Sequence, residues 1–186
     1  METTTPVQNA TKLATKWAFV YLITAVIITY AFQFLNVDTN SPLKYISYIP
    51  FIGYLFLAQK EYRDQIGGYI SFGDAFSAGF RYSIFVGLLM AIFSYLYLTI
   101  LSPEVWQKAM DATQTALEDK GISGSQAEKT MSMMKQWGPL FGAFGAAIVY
   151  AIFGAVISLI GAAIFKKELS PFDIAQNAID PTETEV

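Results

Sequence analysis

The chain contains no cysteine and no histidine. Without them there are no disulfides, no thiolate nucleophiles, no Cys/His zinc sites, no haem held through those side chains and no imidazole base. Charge is scarce as well, at 15% of 186 residues, where a soluble domain carries about 25%. The net charge is −3 and the isoelectric point near 4.9, so no basic stripe exists to meet nucleic-acid phosphates. What remains is apolar: 54% of residues are hydrophobic, 16% aromatic, and the mean hydropathy is +0.40.

The apolar residues gather in four stretches. Residues 17–35 form the first, 19 residues without a charge. As a helix it measures about 28 Å, the thickness of a bilayer core. The second, 42–58, is marginal at about 25 Å. It holds Lys44, Pro50 and Gly53, which predicts a kink or a short tilted span. The third, about 77–101, is charge-free from Tyr82 to Leu101, and the fourth covers 140–165. Three charge-free runs of 19 or more residues are hard to bury in one soluble core of this size. A cleavable leader is not expected, since the first apolar run is too long and lacks a small-residue cleavage site.

These stretches predict an all-α integral membrane protein. Four transmembrane helices would occupy residues 13–168, between a disordered arm at 1–12 and an acidic disordered tail at 169–186. Four spans put both termini on one side. Seven of the twelve basic residues, Lys12, Lys16, Lys60, Arg63, Arg81, Lys166 and Lys167, fall on that side. The positive-inside rule makes it the cytoplasm. Arg81 is expected to snorkel toward lipid phosphates.

Two pieces lie between spans. The connector 59–73 leads into the next helix, where Ser71 and Asp74 suggest an S-x-x-D cap. The outer segment 102–138 reads as an amphipathic helical hairpin between spans three and four. Ser102-Pro103-Glu104 starts its first helix and Gly121 stops it. Trp106, Met110, Thr113 and Leu117 share one face. Ser125 and Glu128 suggest a second capping box, and Gly138-Pro139 is expected to break the chain before span four. The hairpin is either a lid or methionine-rich docking surface, or a cover packed on the bundle.

Lipid tails are as apolar as leucine, so spans associate through close packing of small residues. Ala75, Gly79, Ser83, Gly87 and Ala91 form one i+4 row. Gly142, Ala147, Ala151, Gly154 and Ser158 are the corresponding packing residues of span four, with Ala143, Ala155 and Ala162 beside them. Two outcomes stay open: spans three and four pack together within one chain, or a stripe forms a homo-oligomer seam.

No ionisable group lies at a span centre, which argues against proton-coupled transport. Asp64/Asp74 and Glu118/Asp119 sit in no catalytic motif, so no enzyme, catalytic residue, cofactor or metal is expected. The chain reads as a non-enzymatic accessory or scaffold subunit that pairs with another membrane protein. The alternative is an oligomeric lipid or small-hydrophobic-molecule handler, with a groove between span two and the small faces of spans three and four.

Three segments carry a resemblance to a known family. They are I-S-F-G-D-A-F at 70–76, S-P-E-V-W from 102, and G-A-V-I-S-L-I-G-A-A-I-F-K-K at 154–167. Across about residues 12–168 the chain resembles the bacterial membrane protein family catalogued as domain of unknown function 4199. The resemblance implies a four-span protein of the bacterial inner membrane without assigned activity. It also implies an accessory role beside envelope glycan or lipid enzymes, a polyprenyl-phosphate-type glycosyltransferase among them.

Overall fold

The computed structural model describes residues 9–37 and 42–168. They are almost wholly helical. Five α-helices follow in order: α1 (Ala10–Phe34), α2 (Tyr48–Gln65), α3 (Phe72–Leu96), α4 (Pro103–Asp119) and α5 (Ser125–Phe165). A 3₁₀ turn, Pro42–Ser47, precedes α2, and a π-helical turn, Tyr97–Leu101, prolongs α3. The chain divides into two compact units, Met1–Tyr82 with Gly154–Val186, and Ser83–Phe153.

Three helical stretches are long and apolar enough to cross a membrane: Ala10–Phe34, Phe72–Leu101 and Ser125–Phe165. The second expected span differs. Its apolar part is split between the 3₁₀ turn and α2, and α2 runs on through Lys60, Glu61, Arg63 and Asp64. No kink forms at Pro50. It stands in the first turn of α2, where a missing N–H leaves nothing unbonded.

The fourth expected span also differs. Gly138-Pro139 does not break the chain, and α5 continues through Pro139 for 41 residues. Gly138 has no side chain to oppose the proline ring, so the residue before Pro139 keeps helical geometry. The second arm of the expected hairpin is therefore the N-terminal part of α5. Helix α1 likewise begins at Ala10, inside the stretch read as an arm, with the Asn9 side chain accepting from the Thr11 N–H. The rest of that arm and the tail 169–186 lie outside the described residues.

Helix ends follow one device. After α4 the Gly121 N–H donates to Glu118 O and the Ile122 N–H to Leu117 O, with Gly121 at φ +71°. This is the Schellman motif, which a left-handed residue makes possible. Asn36, at φ +49°, closes α1 in the same way. The Ser71 cap of α3 forms as the spacing predicts: its hydroxyl accepts from the Asp74 N–H and donates to the Asp74 carboxylate. The Ser125/Glu128 box does not form. Ser125 is already helical, and the Glu128 N–H donates to Gly124 O.

In the first unit α2 returns antiparallel along α1. Trp17 stacks on Tyr54, and Tyr21 meets Phe51 edge-on. In the second unit the residues of α4 withdrawn from solvent are Trp106, Met110, Thr113 and Leu117, with Val105. That is the face which the i, i+4, i+7, i+11 spacing marks.

Candidate functional site

The small-residue rows lie where helices approach closely, and each unit shows its own part. In the first unit Ala75, Gly79, Gly154, Ser158, Gly161 and Ala162 are all buried. Ala75 and Ala162 share a core cluster with Ile70. Among them lies Gln59, 0% exposed. Its Nε2 donates to Ala75 O at 2.9 Å and to Ser158 O at 3.0 Å. One amide thus ties α2 to both α3 and α5.

Glycine makes room for that amide. A Cβ on Gly79 would stand 2.6 Å from Gln59 Nε2 and 2.7 Å from Ser158 Oγ. A Cβ on Gly161 would collide with Gln59 Oε1. Oε1 and Ser158 Oγ have no hydrogen-bond partner.

Ionic contacts gather at one end of this unit. Glu61 accepts from Lys16 Nζ at 2.7 Å and from the Trp17 indole N–H at 2.7 Å. Asp64 accepts from Arg63 Nη2 at 2.7 Å and Lys60 Nζ at 3.0 Å. The Arg63 guanidinium beside it, then the Lys60 ammonium, hold the Asp64 carboxyl below its ordinary value of 3.8. Arg63 also lies over the Phe165 ring at 5.6 Å. Arg81 reaches back along the unit to donate to Thr11 Oγ1 at 2.8 Å.

In the second unit Gly87 meets backbone. A Cβ there would stand 2.9 Å from Ala147 O. Gly138 lies under the Trp106 indole, so a Cβ would collide with the ring. An open apolar groove of about 250 Å³ is lined by Ala91, Ile92, Tyr95, Leu96, Leu140, Ala143 and Phe144. It is not the groove expected beside span two.

Each expected packing residue now has a place. Ala75, Gly79, Ser83, Gly87, Gly154 and Ser158 are buried. Ala91, Ala147 and Ala151 are half-buried. Gly142 is exposed, and a Cβ on it would touch nothing within 4 Å. Sequence reasoning missed Gln59 and Gly161. The available signal was a glutamine directly after an apolar run, where a lone amide needs partners on neighbouring helices. Among the described residues no three Asp or Glu side chains gather to hold a metal.

Comparison with curated proteins and with solved structures gives no match. The model of one family, described as a protein of unknown function (DUF4199), matches residues 16–167. With most of its length covered, from α1 to the end of α5, the chain belongs to the DUF4199 family.

Proposed function

We propose that this chain is a four-span membrane protein with both termini cytoplasmic, acting as a non-enzymatic accessory or scaffold subunit of an envelope membrane complex. The use of its polar groups supports this reading most. Glu61 and Asp64 sit in ion pairs, Asp74 caps α3, and Gln59 fastens three helices. Glu61 and Gln59 join neighbouring helices, and Asp64 and Asp74 are engaged within their own. A partner glycosyltransferase belongs to the same reading. Affinity purification of the full-length protein from native membranes tests it. A stoichiometric membrane partner, recovered reciprocally when that partner is tagged, is the expected result. Recovery of the protein alone would overturn it.

The groove favours a second reading, a lipid or small-hydrophobic-molecule handler that works as an oligomer. Its wall of Tyr95, Leu140 and Phe144 around Ala91 and Ala143 offers only apolar contact, which suits a hydrocarbon chain. A single lipid species co-purifying in fixed ratio, and lost on Ala143→Phe, would support this reading over the first.

A further inference from the structure

Charge is unevenly placed along this acidic chain. In the first unit, residues 9–37, 59–82 and 165–168 carry seven Lys and Arg against four carboxylates. In the second unit, residues 83–153 carry four against five. Lys16 is held by Glu61, and Lys60 and Arg63 by Asp64. Lys166 and Lys167 are exposed and meet no carboxylate in the described ion pairs.

The backbone of both lysines is held, Lys166 through its N–H to Ala162 O at 3.0 Å. Directly after α5, Lys167 forms an antiparallel bridge with Ile70: Ile70 N–H to Lys167 O at 2.9 Å, Lys167 N–H to Ile70 O at 3.0 Å. Ile70 is buried beneath, against Ala75 and Ala162. Lys167 Nζ stands 4.9 Å over the exposed ring of Tyr69. A solvated lysine pair needs no such clasp.

We infer that the Tyr69–Lys166–Lys167 clasp is a docking surface for the phosphate headgroups of anionic membrane lipids. The clasp follows a helix apolar enough to cross a membrane and so stands at headgroup depth. Tyrosine prefers that layer, with its ring toward hydrocarbon and its hydroxyl toward water. Lysines there attract anionic lipid, and a backbone already bonded on both sides loses little freedom when it binds. The inference rests on α5 crossing the membrane. It is independent of the scaffold reading.

The test is native mass spectrometry of the full-length protein, released from detergent with an equimolar mixture of phosphatidylglycerol and phosphatidylcholine. The wild type should retain phosphatidylglycerol preferentially. Lys166→Gln with Lys167→Gln should lower that preference by roughly fivefold per lysine. Lys166→Arg with Lys167→Arg should keep it, as should Lys120→Gln with Lys129→Gln on the α4–α5 segment. A thermal melt of each variant separates lost binding from lost folding. Equal retention of both lipids by the wild type overturns the inference, as does an unchanged preference in the folded Gln variant. A preference lost equally in the Lys120/Lys129 variant overturns it too, since net charge would then suffice. So does a preference seen only after deletion of 169–186, which would make the acidic tail the occupant.

Discussion

Gln59 illustrates how one residue can dictate its neighbours. A buried amide with an unbonded end costs about 1–3 kcal/mol, and it is tolerated here because two glycines let it reach two carbonyls. The carbonyls of Ala75 and Ser158 each accept its N–H. Moving the amide aside would break both bonds, so a methyl on Gly161 cannot be absorbed by a simple swing of the side chain. Gly161→Ala should destabilise the full-length protein by about 1–3 kcal/mol. In a Gln59→Ala background most of that penalty should vanish. Unfolding of the four proteins of this cycle in detergent measures the coupling; an unchanged penalty would clear Gln59 of blame and leave Phe56 as the obstacle, its ring 3.0 Å from the same position. Gly87 poses a harder constraint, because its neighbour is backbone. Gly87→Ala should cost about 1–3 kcal/mol, whereas Gly142→Ala should be neutral or stabilise by up to about 1 kcal/mol. The same melts compare them. The four-residue spacing marked both glycines alike, since it records residue size and not the direction a helix face takes. Asp64 supplies a pH test. Its carboxyl is held below 3.8 in the fold, so its ion pairs contribute stability above that pH, which is lost as pH falls through the lowered value. Asp64→Asn should therefore show a shallower loss of melting temperature between pH 5 and pH 3 than the wild type, as judged by melts across that window. The contribution is small, because the pair is open to solvent.

At the scale of elements, the local signals that act within a few residues were legible. The Ser71 cap, the Pro103 start, the Gly121 stop and the apolar face of α4 all follow from short-range rules. Gly121→Ala should destabilise by about 1 kcal/mol, because a Cβ is disfavoured at φ +71°. Its melt, set beside that of Gly142→Ala, isolates backbone strain from helix propensity. Signals that depend on context were not legible. Pro139 is a breaker in isolation, yet the glycine before it and the Trp106 indole over that glycine let α5 continue. Pro50 predicted a kink only while the start of α2 was unknown.

At the scale of the molecule, the contacts of the first unit bear on how many times the chain crosses. Lys16, near the start of α1, pairs with Glu61 near the end of α2. Two residues on, Arg63 lies over Phe165, the last residue of α5. The beginning of the first span and the end of the last therefore lie at one end of that unit. A chain whose spans begin and finish on one side crosses an even number of times. Three spans would separate the termini, and four would not. On the proposed four-span reading α2 is the further crossing: it runs back along α1, from Phe51 beside Tyr21 to Glu61 beside Lys16, although its charged end keeps it from being as apolar as the others. The same proposal puts that shared end, with its seven basic residues, in the cytoplasm by the positive-inside rule. Reporter pairs active on opposite sides of the membrane, fused in turn to the N terminus, to the α4–α5 turn near Gly124 and to the C terminus, read this directly. Four spans require both termini to report cytoplasmic and Gly124 external. Termini on opposite sides would make α2 a non-crossing helix and leave three spans, and the placement of Glu61 beside Lys16 and of Arg63 beside Phe165 would need another explanation.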